Sequence, residues 1–93
     1  MMKITEEILL NNKFERTSID YVSIFNRVVY NEMGAVKYSI DMRKGLSNMF
    51  GRDWVCHLDN DFFETIGSVD IDTVEQFNMF MELMEVPYKL TNI

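Results

Sequence analysis

The sequence predicts an α+β domain, in which an antiparallel sheet of three to four strands has N-terminal and C-terminal helices packed on one face. Residues 36–42 and 54–59 alternate between apolar and polar side chains, which is typical of half-buried strands. Residues 72–86 instead carry apolar side chains at helical spacing. Because the chain has only one proline and four glycines and no internal repeat, residues 1–93 are expected to form a single domain.

A short helix is expected near the N-terminus. Thr5 is a suitable N-cap, and the two glutamates that follow it lie in the first turn, where the helix dipole favours acidic side chains. Asparagines at residues 11–12 can end the helix. A helix of about two turns is not stable alone, so we expect Ile8 and Leu9 to dock it against the core.

Residues 18–31 are ambiguous, because their β-branched and aromatic side chains favour a strand but also fit a helix. We favour extended structure with an irregularity near Asn26 and Arg27. Residues 32–35 then form a hairpin turn in which Gly34 adopts positive φ, and the strand at 36–42 follows.

Residues 54–59 form the second clear strand, with the even-numbered side chains facing the core and Cys56 among them. A turn is expected at residues 59–61. The apolar stretch 62–71 is expected to be either a short strand or a packed loop, in which Gly67 supplies a bend or a bulge.

Residues 72–86 predict the most secure helix of the chain. Asp72 and Glu75 have the spacing of an N-terminal cap, and Pro87 stops the helix. Residues 88–90 can add a short edge strand. The apolar stripe of the helix consists of Val74, Phe77, Met81 and Met84.

The charge distribution divides the chain near Asp53. From Asp53 to Tyr88 there are nine acidic residues and no lysine or arginine, whereas residues 1–52 carry eight basic and six acidic side chains. The net charge of -6 argues against direct nucleic-acid binding, because phosphates require cations in register with them. The expected acidic surface comprises Asp59, Asp61, Glu64, Glu75, Glu82 and Glu85.

The sequence provides no set of side chains suited to catalysis or to binding a metal ion. His57 and Asp59 share a strand face, which permits one hydrogen bond or one shared ion, but the chain has no second histidine. Cys56 and His57 are neighbours on a strand and therefore point to opposite faces. Gly67 lacks the second glycine and the lysine of a phosphate-binding loop. We expect no catalytic residue, no cofactor and no metal.

A cytoplasmic location without membrane contact is expected. The first ten residues, MMKITEEILL, lack the long apolar run of a signal peptide. No segment approaches the roughly 20 apolar residues that cross a bilayer. Cys56 is the only cysteine, so the chain cannot form an internal disulfide.

Residues 43–52 join the two clearest strands and form the expected partner-binding site. Two glycines enclose an apolar tip, and basic residues surround it, an arrangement that resembles a binding hot spot. Its residues are Arg43, Lys44, Leu46, Met49, Phe50 and Arg52. The alternative is that this segment folds back to cover the sheet.

Both ends of the chain resemble small uncharacterised proteins of gut Bacteroides-type bacteria and their phages. The resemblance is carried by the opening KITEE at residues 3–7, by HLDNDFFETIGSVDI at residues 57–71 and by TVEQFN at residues 73–78. It does not extend to the middle of the chain. The resemblance implies a bacterial or phage cytosol and an accessory role, and it carries over no catalytic residue.

Together these features predict a small non-enzymatic protein-interaction module, an accessory protein of a bacterium, phage or mobile element. It is expected to bind a protein partner through the sheet edge or through residues 43–52. Twelve aromatic residues and eight methionines exceed what so short a chain readily buries, so a homodimer is also expected. The alternative function is an acidic inhibitor or nucleic-acid mimic that presents the acidic surface.

Overall fold

In the part of the chain that the structure describes, there are two short helices and one antiparallel sheet of five strands: α1 (Glu6–Asn11), β1 (Glu15–Ile19), β2 (Val22–Tyr30), β3 (Val36–Lys44), β4 (Trp54–Asp59), β5 (Thr65–Ile71) and α2 (Val74–Leu83). The computed structural model describes residues 1–19, 22–44 and 54–91. The strands lie in chain order, so each pairs with its neighbours in sequence. The predicted α+β class is confirmed, whereas the predicted number of three to four strands is wrong.

The additional strand is β1, which lies in the polar stretch ERTSI. It forms a hairpin with β2, in which Glu15 lies opposite Asn26. The predicted extended segment 18–31 therefore spans parts of two strands rather than one. The predicted irregularity near Asn26 and Arg27 is wrong, because the pairing of β2 is regular there and shifts only at Tyr30.

The remaining strands follow the sequence pattern closely. The predicted turn at residues 32–35 is confirmed, and Gly34 has a φ of 82°. β3 continues two residues beyond the predicted range 36–42. Of the two alternatives for residues 62–71, the structure shows a strand, because β5 pairs with β4 along its length.

Residues 88–90 do not form the predicted edge strand. The N–H of Leu90 donates a hydrogen bond of 2.9 Å to the Asn78 side chain on α2. The Tyr88 hydroxyl donates one of 3.1 Å to the carbonyl of Asn12, which follows α1. These two donors therefore pair with α2 and with the residue that follows α1, instead of with the sheet.

Both helices have side-chain caps at their N-termini. Thr5 caps α1 as predicted, and its hydroxyl accepts a backbone hydrogen bond of 3.2 Å. The cap of α2 is Thr73 rather than the predicted Asp72. The Thr73 hydroxyl accepts from the N–H of Gln76 (3.2 Å), and the Gln76 side chain accepts from the N–H of Thr73 (3.1 Å), which forms a capping box. α2 also ends before the predicted limit at residue 86.

One buried cluster joins the helices to the sheet. The sheet contributes Phe25, Ile40, Met42, Trp54, Cys56, Leu58 and Ile71, and the helices contribute Ile8, Leu9, Val74, Phe77 and Met81. The predicted inward face of residues 54–59 is confirmed, because buried and half-buried side chains alternate along β4. In the predicted helix stripe, only Met84 is half-buried rather than buried.

Candidate functional site

The sheet has two edge strands, and β5 is better suited than β1 to accept a further strand. β1 has five residues, and Glu15 and Arg16 place charges on it. β5 has seven residues, of which only Asp70 is charged. Charged side chains on a short edge oppose pairing with another chain, whereas a longer and nearly uncharged edge leaves its backbone groups available. Within the described residues, no strand pairs with the outer side of β5.

β5 is shaped to lie close to α2. Ile66 has no opposite residue on β4, because the register shifts there, and this forms a bulge. A Cβ at the next residue, Gly67, would lie 3.0 Å from side-chain atoms of both Phe80 on α2 and Met84, which caps the C-terminal end of α2. Glycine therefore permits the close approach of strand and helix, and the predicted bulge lies beside it.

A groove of about 210 Å³ runs between β5 and α2. Its apolar lining residues are Val69, Ile71, Met79, Phe80 and Leu83. Met79 is 63 % exposed and Leu83 is 74 % exposed, although both are large apolar side chains. They lie four residues apart and therefore share one side of α2, away from the buried stripe. The sequence interpretation did not identify this β5–α2 groove.

The β5–α2 groove has acidic surroundings. Asp70 lines the groove itself. Glu75 precedes Met79 by four residues, so it lies on the same side of α2. Its carboxylate accepts hydrogen bonds from its own backbone N–H and from the N–H of Met2, which hold the pKa of Glu75 below its usual value. The groove therefore presents negative charge beside apolar side chains.

The turn between β4 and β5 exposes two adjacent aromatic side chains. Phe62 is 76 % exposed and Phe63 is 71 % exposed. The carboxylates of Asp61 and Glu64 flank them and are exposed as well. We call residues 60–64 the phenylalanine turn. The sequence interpretation assigned both phenylalanines to an apolar stretch, although the polar residues on either side indicate a turn.

The predicted basic site is only partly described. Arg43 and Lys44 end β3, whereas Leu46, Met49, Phe50 and Arg52 lie outside the described residues. The Arg43 guanidinium lies 3.8 Å from the carboxylate of Asp41. The Lys44 ammonium lies 5.7 Å from the centre of the Trp54 ring. Because the strands are antiparallel, these two cations lie at the end of the sheet opposite to the phenylalanine turn.

The predicted acidic surface is divided between two parts of the fold. Asp61 and Glu64 lie in the phenylalanine turn and Asp59 precedes it at the end of β4, whereas Glu75 and Glu82 lie on α2 and Glu85 follows α2. Asp59 is half-buried and accepts a hydrogen bond of 2.9 Å from the Thr65 hydroxyl. The other five are exposed. Glu75, at the start of α2, lies towards the end of β5. Glu82 and Glu85 lie towards its start and the phenylalanine turn, because Gly67 near the start of β5 lies against Phe80 and Met84.

Cys56 and His57 do not form a reactive pair. Burial and, to a lesser extent, the carboxylate of Asp41 raise the pKa of the Cys56 thiol to about 12, so it is protonated at neutral pH. His57 lies opposite Asp41, on the sheet face away from the core. Among the described residues, no group of three or more histidine, cysteine and acidic side chains is arranged to hold a metal ion.

The β5 edge, the β5–α2 groove and the phenylalanine turn all belong to the acidic half of the chain, in which residues 53–88 contain no lysine or arginine. None of the helices in the described part of the chain is long and apolar enough to cross a membrane. No protein-family model, no curated protein and no solved structure matches the sequence.

Proposed function

We propose that the protein is a small non-enzymatic interaction module that binds an extended segment of a protein partner along β5. The observation that carries the proposal is the β5 edge, which has no partner strand among the described residues and borders an apolar groove. A segment that adds to a sheet edge gains main-chain hydrogen bonds. Its alternate side chains point to the same face, where the groove can receive them.

The charge around the groove favours a basic segment. Asp70 lines the groove, and Glu75 and Glu82 lie on α2 beside its exposed apolar side chains. Lysines or arginines between the apolar residues of a bound segment would face these carboxylates. Such complementarity raises the rate of encounter and fixes orientation, while the apolar contacts contribute most of the affinity.

The size of the groove supports a peptide segment over a small molecule. Its volume of about 210 Å³ is below the range of roughly 300–1,000 Å³ that is usual for small-molecule sites. A segment that covers Met79 and Leu83 would also remove exposed apolar surface from water. One or two aliphatic side chains of the segment would therefore fill the groove.

The proposed action is occlusion or assembly of the partner, without chemistry on it. We place this action in the cytosol of a bacterium or of a phage-infected cell, as an accessory role. The support for this setting is the resemblance of residues 3–7 and 57–78 to small proteins of gut Bacteroides-type bacteria and their phages. The single buried thiol of Cys56 also suits a reducing compartment.

The test uses a short peptide that alternates valine and lysine and is blocked at both ends. We expect it to shift the amide resonances of β5 and α2 in nuclear magnetic resonance spectra. Leu83→Ser should weaken its binding about tenfold or more, because the groove loses an apolar contact worth roughly 1.5–3 kcal/mol. Leu10→Ser on α1 is the control, since Leu10 is also an exposed leucine on a helix (51 %, against 74 % for Leu83) and lies outside the groove.

The same peptide with glutamate in place of lysine should not bind, because it would meet Asp70 and the α2 carboxylates with like charge. Resonance shifts confined to residues away from β5 would contradict the proposal. So would an affinity that Leu83→Ser and Leu10→Ser reduce equally.

A second candidate function is an acidic inhibitor or nucleic-acid mimic. The observation in its favour is the exposure of Asp61, Glu64, Glu75, Glu82 and Glu85. The salt dependence of binding to a protein partner distinguishes the two functions. A mimic bound mainly through carboxylates would lose affinity steeply as salt increases, whereas a segment held by the groove would lose little.

A further inference from the structure

Two turns of this sheet have the same hydrogen-bond pattern. In the β2–β3 turn, the Asn31 N–H donates to the carbonyl of Ala35 (2.8 Å), and the Asn31 carbonyl accepts from the N–H of Gly34 (3.0 Å). The Asn31 side-chain oxygen accepts from the N–H groups of Met33 (2.9 Å) and Ala35 (3.0 Å). This arrangement fixes all five residues of the turn.

The phenylalanine turn repeats the pattern with Asn60 in the place of Asn31. The Asn60 N–H donates to the carbonyl of Glu64 (2.9 Å), and its carbonyl accepts from Phe63 (3.1 Å). Its side-chain oxygen accepts from the N–H groups of Phe62 (2.9 Å) and Glu64 (3.0 Å). The fourth residue of each turn therefore occupies the same backbone position.

That fourth position requires a left-handed backbone, and the two turns fill it differently. Gly34 has a φ of 82° and Phe63 has a φ of 60°. Glycine adopts this conformation readily, whereas a side chain there is unfavourable. The Phe63 ring is 71 % exposed, so core packing does not compensate for the strain. Neither the turn nor the core accounts for a phenylalanine at this position, and strained residues of this kind concentrate at functional sites.

We propose that Phe62 and Phe63, with Asp61 and Glu64 beside them, bind an arginine of the segment that adds to β5. This inference rests on the proposed function and names a further feature of its ligand. A guanidinium is planar, stacks on aromatic faces and pairs with carboxylates, and the turn presents both kinds of group in an exposed position.

The position of the arginine follows from the sheet. All five strands are antiparallel, so an added strand is expected to run antiparallel to β5 as well. Its C-terminal end then lies beside Thr65, where β5 begins. With a rise of about 3.3 Å per residue, a residue two positions beyond that point reaches the phenylalanine turn. The arginine therefore belongs near the C-terminal end of the bound segment.

The binding test compares three peptides with blocked ends: the valine–lysine peptide, the same peptide extended at its C-terminal end by glycine and arginine, and the extended peptide with citrulline in place of arginine. Citrulline keeps the shape of arginine without its charge. We expect the arginine peptide to bind wild-type protein roughly threefold or more tightly than the citrulline peptide. Phe63→Gly and Phe62→Ser should each abolish this preference and leave the affinity for the unextended peptide unchanged.

The stability test uses the two turns as a matched pair. Phe63→Gly should raise the melting temperature by roughly 3–5 °C, because it removes the backbone strain. Gly34→Phe should lower it by a similar amount, since no atom lies within 4 Å of a Cβ at Gly34 and only the backbone conformation opposes the ring. A lower melting temperature for Phe63→Gly would show that the ring supports folding and would overturn the inference.

The two proposals fail in different ways. If the unextended valine–lysine peptide does not bind, the proposed function is wrong, and this inference is wrong with it. If that peptide binds but the arginine and citrulline peptides have equal affinity, only the arginine site is wrong.

Discussion

The thiol of Cys56 belongs to a reactive class of side chain, but its buried position makes it unreactive in the native protein. It is fully buried on the inner face of β4, between Trp54 and Leu58. Burial and, secondarily, the carboxylate of Asp41 raise its pKa from 9.0 to about 12. A thiolate at this position would be surrounded by apolar side chains, so the protonated form is strongly favoured.

We predict that iodoacetamide at pH 8 modifies Cys56 in the unfolded chain and not in the native protein. The unfolded chain loses its thiol proton first, so this thiol should not change the free energy of unfolding below pH 9 and should lower it as the pH rises from 9 towards 12. Denaturant melts across this pH range measure the effect. Cys56→Val, which keeps the buried volume similar, is the control and should show a smaller fall. Equal modification rates in both states would contradict the prediction.

Two neighbouring residues, Asp72 and Thr73, are both suited by local sequence to be the N-cap of α2. Asp72 is followed three residues later by Glu75, and Thr73 is followed three residues later by Gln76, so both pairs match the pattern of a capping box. The structure uses the second pair. The carbonyl of Asp72 accepts a hydrogen bond of 3.0 Å from the N–H of Ile4, and this tertiary contact keeps Asp72 in the extended segment before the helix.

We predict that Thr73→Ala lowers the free energy of unfolding by about 1 kcal/mol, because the first turn of α2 loses its side-chain acceptor. Lys3→Ala is the comparison at the same end of the helix. It removes an ion pair of 3.4 Å with Asp72, but the Lys3 side chain is 68 % exposed, so the change should be small. Denaturant melts of both variants test this order. A larger loss of unfolding free energy for Lys3→Ala than for Thr73→Ala would mean that the ion pair stabilises the N-terminus of α2 more than the cap does.

At the scale of elements, α2 contributes to both the core and the proposed site. Its buried side includes Phe77, which makes edge-to-face contacts with Phe14 at 6.4 Å and with Tyr88 at 6.2 Å between ring centres. Its exposed side carries Met79 and Leu83 at the β5–α2 groove. The helix thus positions the groove because its other side is held by aromatic packing.

We predict that Phe77→Ala lowers the free energy of unfolding by roughly 3–5 kcal/mol, because it leaves a cavity among aromatic rings in a small core. Met79→Ala should change it by about 0.5 kcal/mol or less, since Met79 is 63 % exposed. Chemical denaturation of the two variants checks the difference. A loss below about 1 kcal/mol for Phe77→Ala would contradict the assignment of this side of α2 to the core.

The elements that the sequence predicted are those with a buried face of their own. β3 and β4 alternate because one side of each faces the core, and this pattern is visible in the residues. β1 shows no such pattern, since it is an edge strand that exists through pairing with β2. One of its side chains, Arg16, packs over the Phe25 ring at 5.9 Å, a contact that local sequence cannot indicate.

For the candidate site, the sequence predicts the acidic charge and the use of a sheet edge, but not the groove. The acidic character of residues 53–88 and a role for the sheet edge follow from the sequence. The groove does not, because it requires Gly67 to bring β5 against Phe80, and the two residues belong to different elements. The exposure of Phe62 and Phe63 also depends on the Asn60 turn, whose likeness to the Asn31 turn becomes visible in the hydrogen bonds.

At the scale of the whole molecule, each strand of the sheet pairs with its neighbours in sequence, whereas residues near both ends of the chain bond to residues far from them in sequence. The N–H of Ile4 donates a hydrogen bond of 3.0 Å to the carbonyl of Asp72, and the N–H of Thr91 donates one of 2.9 Å to the Asn12 side chain. These contacts link residues that are 68 and 79 positions apart in a chain of 93 residues. Local patterns carry no information about them, which is why the course of residues 88–91 could not be predicted.

The distribution of charge along the sheet bears on self-association. The basic residues Arg43 and Lys44 lie at one end of the sheet, and the carboxylates of Asp61 and Glu64 lie at the other end. Two copies related by a two-fold axis and placed side by side would bring each basic end against an acidic end, and they would use each contact twice. In the sequence, the apolar residues Leu46, Met49 and Phe50 follow shortly after Lys44, and they lie outside the described residues.

We therefore predict a two-fold homodimer in which residues 43–52 of one copy meet the acidic region of the other. Light scattering at high micromolar concentration should give twice the mass of the chain. Replacing Met49 and Phe50 together with serine should give monomers with an unchanged circular dichroism spectrum, because apolar anchors contribute most of the affinity and the charges set orientation. For the same reason, added salt should weaken the dimer only slightly. A wild-type protein that is monomeric at this concentration would rule the dimer out, and residues 43–52 would then be free to serve a different protein.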